Sequence, residues 1–244
     1  MPVKTPDQYR RFYDDLYKRA EKRNPAYEIY DRLRANYISA LAKGSPGPVL
    51  IVGCGSNRDL EIMGTDSEVF AFDLSIEAVR KLSRDRVSLF TADALRIPFE
   101  DEAFNLVICS EVLEHIPDIR SAVKEMRRVV KPGGTLIVSS PNWISWFGLA
   151  RWLAGSVFGK QIHSDDQPYD DWKTWKRYQQ ELGPEFEVVA SRGVWYLPPL
   201  HFRKYGIPGA LMKAIYFMYA PFERLLSRWL PAAGHLLILK CRAK

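Results

Sequence analysis

The chain lacks most of the features that would take it out of the ordinary globular class. Its 244 residues include only three cysteines, Cys54, Cys109 and Cys241. They form no C-x-x-C pair, and each falls in or beside an apolar run. Neither a disulfide framework nor a structural zinc site is expected, and a reducing, cytoplasmic setting is the default. No secretory leader is read, because Lys4, Asp7, Arg10 and Arg11 crowd the start of the chain. The longest stretch without charge, Pro132 to Ala150, is broken by Pro132-Gly133-Gly134 and Ser139-Ser140-Pro141-Asn142. A membrane-spanning helix would not carry that punctuation, so no transmembrane segment is expected. Internal repeats and low-complexity tracts are also missing.

What remains is a chain able to bury a core, 47% hydrophobic and 26% charged. Its formal charge of +6 is unevenly spread: residues 1–46 carry +4, residues 47–191 carry −6 and residues 192–244 carry +8. A basic end suggests an anionic partner or a solvated cationic face.

Thr5-Pro6-Asp7 reads as a cap followed by proline at a helix start, with Tyr9, Phe12, Tyr13, Leu16 and Tyr17 recurring at helical spacing. A second helix is predicted over 27–41. From residue 49 the pattern changes to short apolar runs, at 49–52, 69–72, 87–90, 106–109 and 136–139, with helical patterns at 76–82 and 119–130. Continuous apolar strands alternating with helices predict an α/β fold, a doubly wound and mostly parallel sheet covered on both faces. Two further strands are predicted at 186–190 and 236–240. Helical insertions are expected after the fifth strand (142–182) and after the sixth (197–233). A single domain over 1–244 follows, with an N-terminal helical lid (1–46), a cofactor-binding core (47–141) and acceptor-side insertions with the last two strands (142–244).

The first strand opens into Gly53-Cys54-Gly55-Ser56-Asn57. Glycines at this point let the backbone turn tightly and approach a ligand closely. Asp73 follows Gly53 by twenty residues at the end of the second strand, where a carboxylate can take both hydroxyls of an adenosine ribose. A dinucleotide fingerprint would need a third glycine where Arg58 stands. Asp93 closes the third strand region, Ser110-Glu111-Val112-Leu113-Glu114-His115 follows the fourth, and Lys131-Pro132-Gly133-Gly134 leads into the fifth.

In this order and spacing, residues 47–141 resemble the class I S-adenosylmethionine-dependent methyltransferases, in particular the branch of ubiquinone- and menaquinone-pathway enzymes. The resemblance implies a seven-stranded sheet with the last strand antiparallel and S-adenosyl-L-methionine as methyl donor. It implies that Gly53, Cys54, Gly55 and Asn57 line the donor. Asp73 would hold the ribose, Leu74 would flank the adenine, and Asp93 with Ala94 would meet the adenine edge. Ser110 and Glu111 would lie near the methionine part, and Tyr13 and Tyr17 would close from the lid helix. Acceptor contacts are expected at Asn142, His163, Tyr169 and Trp172. The sequence departs from the family at Ile51, where an acidic residue is usual, and at Asn57, where a small residue is.

Methyl transfer from a sulfonium needs positioning and, for a hydroxyl acceptor, a base. Of four histidines, His115 is the candidate, since it follows the fourth strand on the ligand-binding edge of such sheets; a helix-entry role is its structural alternative. His235 borders a strand and is read as structural. Glu111, Glu114 and His115 make only a thin metal argument, and no metal is expected. No Asn/Asp-Pro-Pro-Tyr/Phe motif follows the fourth strand and no RNA-binding module is attached, so a nucleic-acid acceptor is disfavoured. A small-molecule or lipid-like acceptor is expected, with O-methylation slightly ahead of C-methylation. Leu211, Ile215, Tyr219, Phe222, Leu226 and Trp229 form a helical stripe that packs on the core, covers a pocket or touches a membrane through 209–230, with Pro221 expected to kink it. An RNA methyltransferase and a non-catalytic relative of the fold are the alternatives. Oligomeric state, the acceptor and the methylated atom are not readable from the sequence.

Overall fold

The computed structural model describes residues 5–19, 25–45, 47–55, 67–82, 87–158, 168–197 and 209–244. The sheet strands are β1 (Val49–Val52), β2 (Val69–Asp73), β3 (Val87–Thr91), β4 (Phe104–Ser110), β5 (Val130–Pro141), β6 (Phe186–Val194) and β7 (Leu236–Ala243). The helices are α1 (Pro6–Arg19), α2 (Pro25–Ala42), α3 (Ile76–Lys81), α4 (Ile119–Val129), α5 (Trp146–Phe158), α6 (Trp175–Leu182) and α7 (Gly209–Trp229). Short 3-10 turns cover Leu113–His115 and Pro231–Ala233.

Seven strands form one sheet in the order β3-β2-β1-β4-β5-β7-β6. The first five are parallel, and β7 runs antiparallel to both β5 and β6. This is the expected doubly wound sheet with its reversed last strand.

The apolar runs exist because both sheet faces are covered. In β1 all four residues are buried. Leu50 and Val52 join Phe72, Val107, Cys109 and Met126 on one face, while Val49 and Ile51 join Ala71, Ile108, Ile137 and Ile38 on the other. Adjacent strand residues therefore serve opposite cores, as the two-residue period requires. Helix α4 starts at Asp118, whose carboxylate accepts from the Ser121 N–H at 3.1 Å. It turns Ile119, Ala122, Val123, Met126 and Val129 inward.

Several elements run further than the sequence pattern. The sixth strand continues from Ala190 through Ser191-Arg192-Gly193 to Val194, pairing with Ile238, Leu237 and Leu236. It is an edge strand, so polar side chains do not end it. The fifth begins at Val130, where it pairs with Phe104 across an irregular register. Helix α7 is assigned continuously through Pro221, with no break at the expected kink. Among the described residues, no helix is long and apolar enough to cross a membrane.

Candidate active site

The carboxyl ends of β1, β2 and β4 meet under α1. Leaving β1, the chain turns through Gly53 (φ 69°) and Gly55 (φ 47°), both left-handed. A Cβ at Gly53 would stand 2.3 Å from Val112 Cγ2, and one at Gly55 would stand 2.7 Å from the Tyr17 hydroxyl. Both positions thus need glycine for conformation and for space. Cys54 between them faces the core, and burial pushes its thiol up to about 12. Only its backbone faces the loop's ligand side.

Asp73 is buried and shapes that loop. One carboxylate oxygen accepts from the Gly55 N–H at 2.8 Å, the other from the Ser75 N–H at 2.9 Å. Burial raises its pKa and the backbone donors oppose the rise. With Leu74 as a third backbone donor, the carboxylate keeps a lone pair for an incoming hydroxyl. Leu74, half-buried, follows it. Asp93 caps its own turn by accepting from the Leu95 N–H at 2.9 Å, and Ala94 beside it is buried.

Helix α1 closes this cleft from above. Asp14 Oδ1 accepts from the Ser75 hydroxyl at 2.6 Å and from the Glu77 N–H at 3.3 Å, latching α1 to the start of α3. The Lys81 ammonium donates to the Tyr17 carbonyl. Tyr13 then reaches inward: its hydroxyl is buried and has no hydrogen-bond partner among the described residues. Burial, reinforced by Tyr17, Glu114 and Asp73, drives its pKa up. An orphaned buried hydroxyl, a loop with no room for Cβ atoms and a carboxylate at the end of β2 together fit an adenosine-bearing methyl donor.

Beyond β4 the chain makes a tight excursion. Ser110 is buried and hydrogen-bonds Ser139 on β5 at 2.7 Å. Glu111 takes a left-handed backbone (φ 54°), and its carboxylate accepts from the Tyr30 hydroxyl at 2.5 Å and Arg34 Nη1 at 2.7 Å. Ile51, where the family has an acid, packs in the core cluster that also contains Tyr30. Glu114 is fully buried, accepts from the Ser140 hydroxyl at 2.7 Å, and is pushed by burial up to about 7. Ser140 in turn hydrogen-bonds the Tyr178 hydroxyl at 2.6 Å.

His115 is partly exposed, with Nδ1 at 2.9 Å from the Tyr169 carbonyl. A carbonyl only accepts, so Nδ1 carries a proton, and in the neutral imidazole the lone pair lies on Nε2. Nε2 lies 3.9 Å from Glu114 Oε1. The Asp171 N–H donates to the Glu114 carbonyl at 2.9 Å, so the segment 169–171 is tied to the His115 turn at two points.

The remaining expected acceptor contacts divide. Tyr169 meets His115 through its backbone. Trp172 donates from its indole to Asp170 at 2.8 Å, and the Arg151 guanidinium lies 4.1 Å over its ring. The Asn142 amide is fully buried and donates to the carbonyls of Ile144, Ala232 and Gly234 at 2.7–3.0 Å. It braces the chain. Asn57 and His163 lie outside the described residues. His235 stacks on Phe147 at 3.9 Å between centroids, as a structural histidine would. Among the described residues, no three His, Cys, Asp or Glu side chains group so as to hold a metal ion. Sequence reasoning missed Asp14, Tyr30, Arg34, Ser140 and Tyr178; only Asp14, inside the lid-helix pattern, carried any local signal.

Residues 50–138 match the protein family described as "Methyltransferase domain". An uncharacterised protein of Methanocaldococcus jannaschii is 28% identical over 79% of this chain and 76% of its own length. The demethylmenaquinone methyltransferase of Bacillus cytotoxicus is 34% identical over 41% of this chain; the match spans less than half, 46%, of that enzyme. In fold, the chain is similar to the N-methyltransferase NodS of Bradyrhizobium japonicum, solved with S-adenosyl-L-homocysteine. Their TM-score is 0.59 at 16% identity, covering 95% of this chain and 98% of the other.

Proposed function

The chain is a class I S-adenosylmethionine-dependent methyltransferase, and from that premise we propose that it methylates a hydroxyl oxygen of a small, apolar or lipid-like acceptor. The observation that carries this reading is the hydrogen bond of His115 Nδ1 to the Tyr169 carbonyl, which in the neutral ring leaves the lone pair on Nε2. When bound, S-adenosylmethionine supplies a sulfonium methyl whose leaving group is already activated.

The chain's own residues do the rest. Gly53, Cys54 and Gly55 clear and shape the loop, and Asp73 offers its free lone pair to the ribose. Leu74, Asp93 and Ala94 border the adenine. Tyr13 and Tyr17 shut the cleft, with Asp14 holding their helix down. Ser110 and Glu111 line the methionine end, the latter anchored by Tyr30 and Arg34. His115 takes the acceptor's hydroxyl proton at Nε2, and buried Glu114 beside it steadies the resulting cation. Such a base contributes ~10²–10⁴-fold in rate.

The similarity to an enzyme named for demethylmenaquinone favours a quinol-like acceptor. It also supports a second reading, methylation at ring carbon, since a quinol offers both atoms. An acceptor of this kind partitions into lipid, which puts the reaction at the inner membrane surface.

The test begins with calorimetric titration of S-adenosylmethionine, with NAD as control, followed by turnover of a short-chain quinol in detergent. His115→Gln is expected to lose two or more powers of ten in turnover, while donor affinity stays. Unchanged turnover removes His115 from the base role; products methylated only at carbon replace the first reading by the second.

A further inference from the structure

Helix α7 is built inside out. Among its described side chains Glu223 and Ser227 are fully buried, and Tyr216 and Tyr219 also turn toward the body. The Trp195 N–H donates to Glu223 Oε1 at 2.7 Å. The side facing water carries Phe217, 82% exposed, with Met218, Phe222, Leu225 and Trp229. Leu211, Met218 and Leu225 recur every seven residues, as do Phe222 and Trp229, so the exposed apolar set is a true stripe. The stripe expected from the sequence is accordingly split: Ile215, Tyr219 and Leu226 turn inward, while Leu211, Phe222 and Trp229 face out.

A second apolar surface adjoins it. Trp143, Ile144, Trp146, Leu149 and Trp152 line an open groove of about 550 Å³ together with Ala233, which follows α7. The Asn142 brace joins these segments, since its amide bonds Ile144 on one side and Ala232 and Gly234 on the other. Four tryptophans are exposed on these two segments, Trp143, Trp146, Trp152 and Trp229. A soluble surface rarely leaves so many large apolar side chains to water without a partner.

Charge selects the occupant. Helix α5 contains no acid, and the single acid of α7, Glu223, is buried. The exposed charges described on α7 are Arg224 and Arg228, the latter 5.9 Å from the Trp229 ring. Residues 192–244 carry +8 overall. Tryptophan and arginine beside aliphatic side chains suit the headgroup layer of a bilayer, where apolar groups sink and cations meet lipid phosphate. Among the described residues, neither helix is long and apolar enough to span a membrane.

We propose that the joined outer faces of α5 and α7 dock the enzyme on an anionic lipid bilayer. This deepens the lipid-like acceptor reading, on which it rests for its purpose but not for its test. The chain is sedimented with sucrose-loaded vesicles of equal phosphatidylcholine and phosphatidylglycerol, and with phosphatidylcholine alone, without donor or acceptor. Partition to the mixed vesicles is expected to be at least tenfold stronger at 0.1 M salt and to weaken at 0.5 M. The Phe217→Ser/Phe222→Ser variant on α7, and separately Trp152→Ser on α5, are expected to lose most of it with unchanged donor affinity. Equal binding to uncharged vesicles, no binding, or variants that bind like wild type overturn the proposal. So does a solution dimer that the same substitutions dissociate, which would assign the surface to a second copy. Methyl transfer in detergent is read separately, so vesicle docking and the acceptor reading can each fail alone.

Discussion

Helices α4 and α7 both pack against the sheet assembly, yet they turn opposite kinds of side chain toward it. α4 buries Ile119, Ala122, Val123, Met126 and Val129 and shows Arg120 and Lys124 to solvent. α7 buries Glu223 and Ser227 and shows Phe217, Phe222 and Trp229. The first helix is held by removing apolar area from water; the second also packs Ile215 and Tyr216 on the core but places Glu223, bonded to the Trp195 N–H, among them. Amphipathicity alone states that a helix has two faces. The solvent on each side decides which face turns inward.

This contrast can be broken at measurable points. Met126→Ala should cost about 2–5 kcal/mol in urea unfolding, as a buried α4 side chain must. A loss below about 1 kcal/mol would show that α4 is not the anchored helix of the pair. Glu223→Ala should cost about 1–3 kcal/mol, because the Trp195 N–H would be left without its acceptor; full stability would mean that polar contacts do not hold α7. The Glu223 carboxyl has its pKa raised by burial. Its contribution is therefore complete below the unfolded value near 4.5 and lost as pH rises through the folded one. Wild type should lose stability relative to Glu223→Gln over that rise, so parallel pH profiles would contradict the burial argument. The smallest effect is expected from Phe217→Ser, within about 0.5 kcal/mol of wild type, because that ring contributes little to the fold in water. A large loss there would mean that Phe217 packs inside after all.

The sequence pattern was most legible where chemistry is local. The strands of 47–141 are short apolar runs, and Gly53, Gly55 and Asp73 follow from what a strand end must do to approach a ligand. The 169–171 segment was placed in the acceptor region, but its docking through a carbonyl on His115 depends on residues 54 apart. The bonds from Tyr30 and Arg34 to Glu111 span 81 and 77 residues, and no local spacing encodes them. The Asn142 amide bonds carbonyls 90 and 92 residues away, contacts that no local spacing encodes. For α7, a single glutamate in an apolar helix reads as a solvent-facing charge. Only the tyrosines and Trp195 around it reveal that it is the buried group.

Glu111 holds a strained backbone position in place through its side chain. Its left-handed backbone is a position where glycine would sit without strain and any other residue costs on the order of 1–2 kcal/mol. The chain accepts that cost and then adds Tyr30 and Arg34 to hold the carboxylate still. A thermostability screen would be drawn to this position and would select Glu111→Gly. The same change would take from the second helix the charge that Tyr30 and Arg34 hold, leaving Arg34 to face Asp31 at 3.9 Å, and on the proposed role at the methionine end would trade activity for a more comfortable backbone.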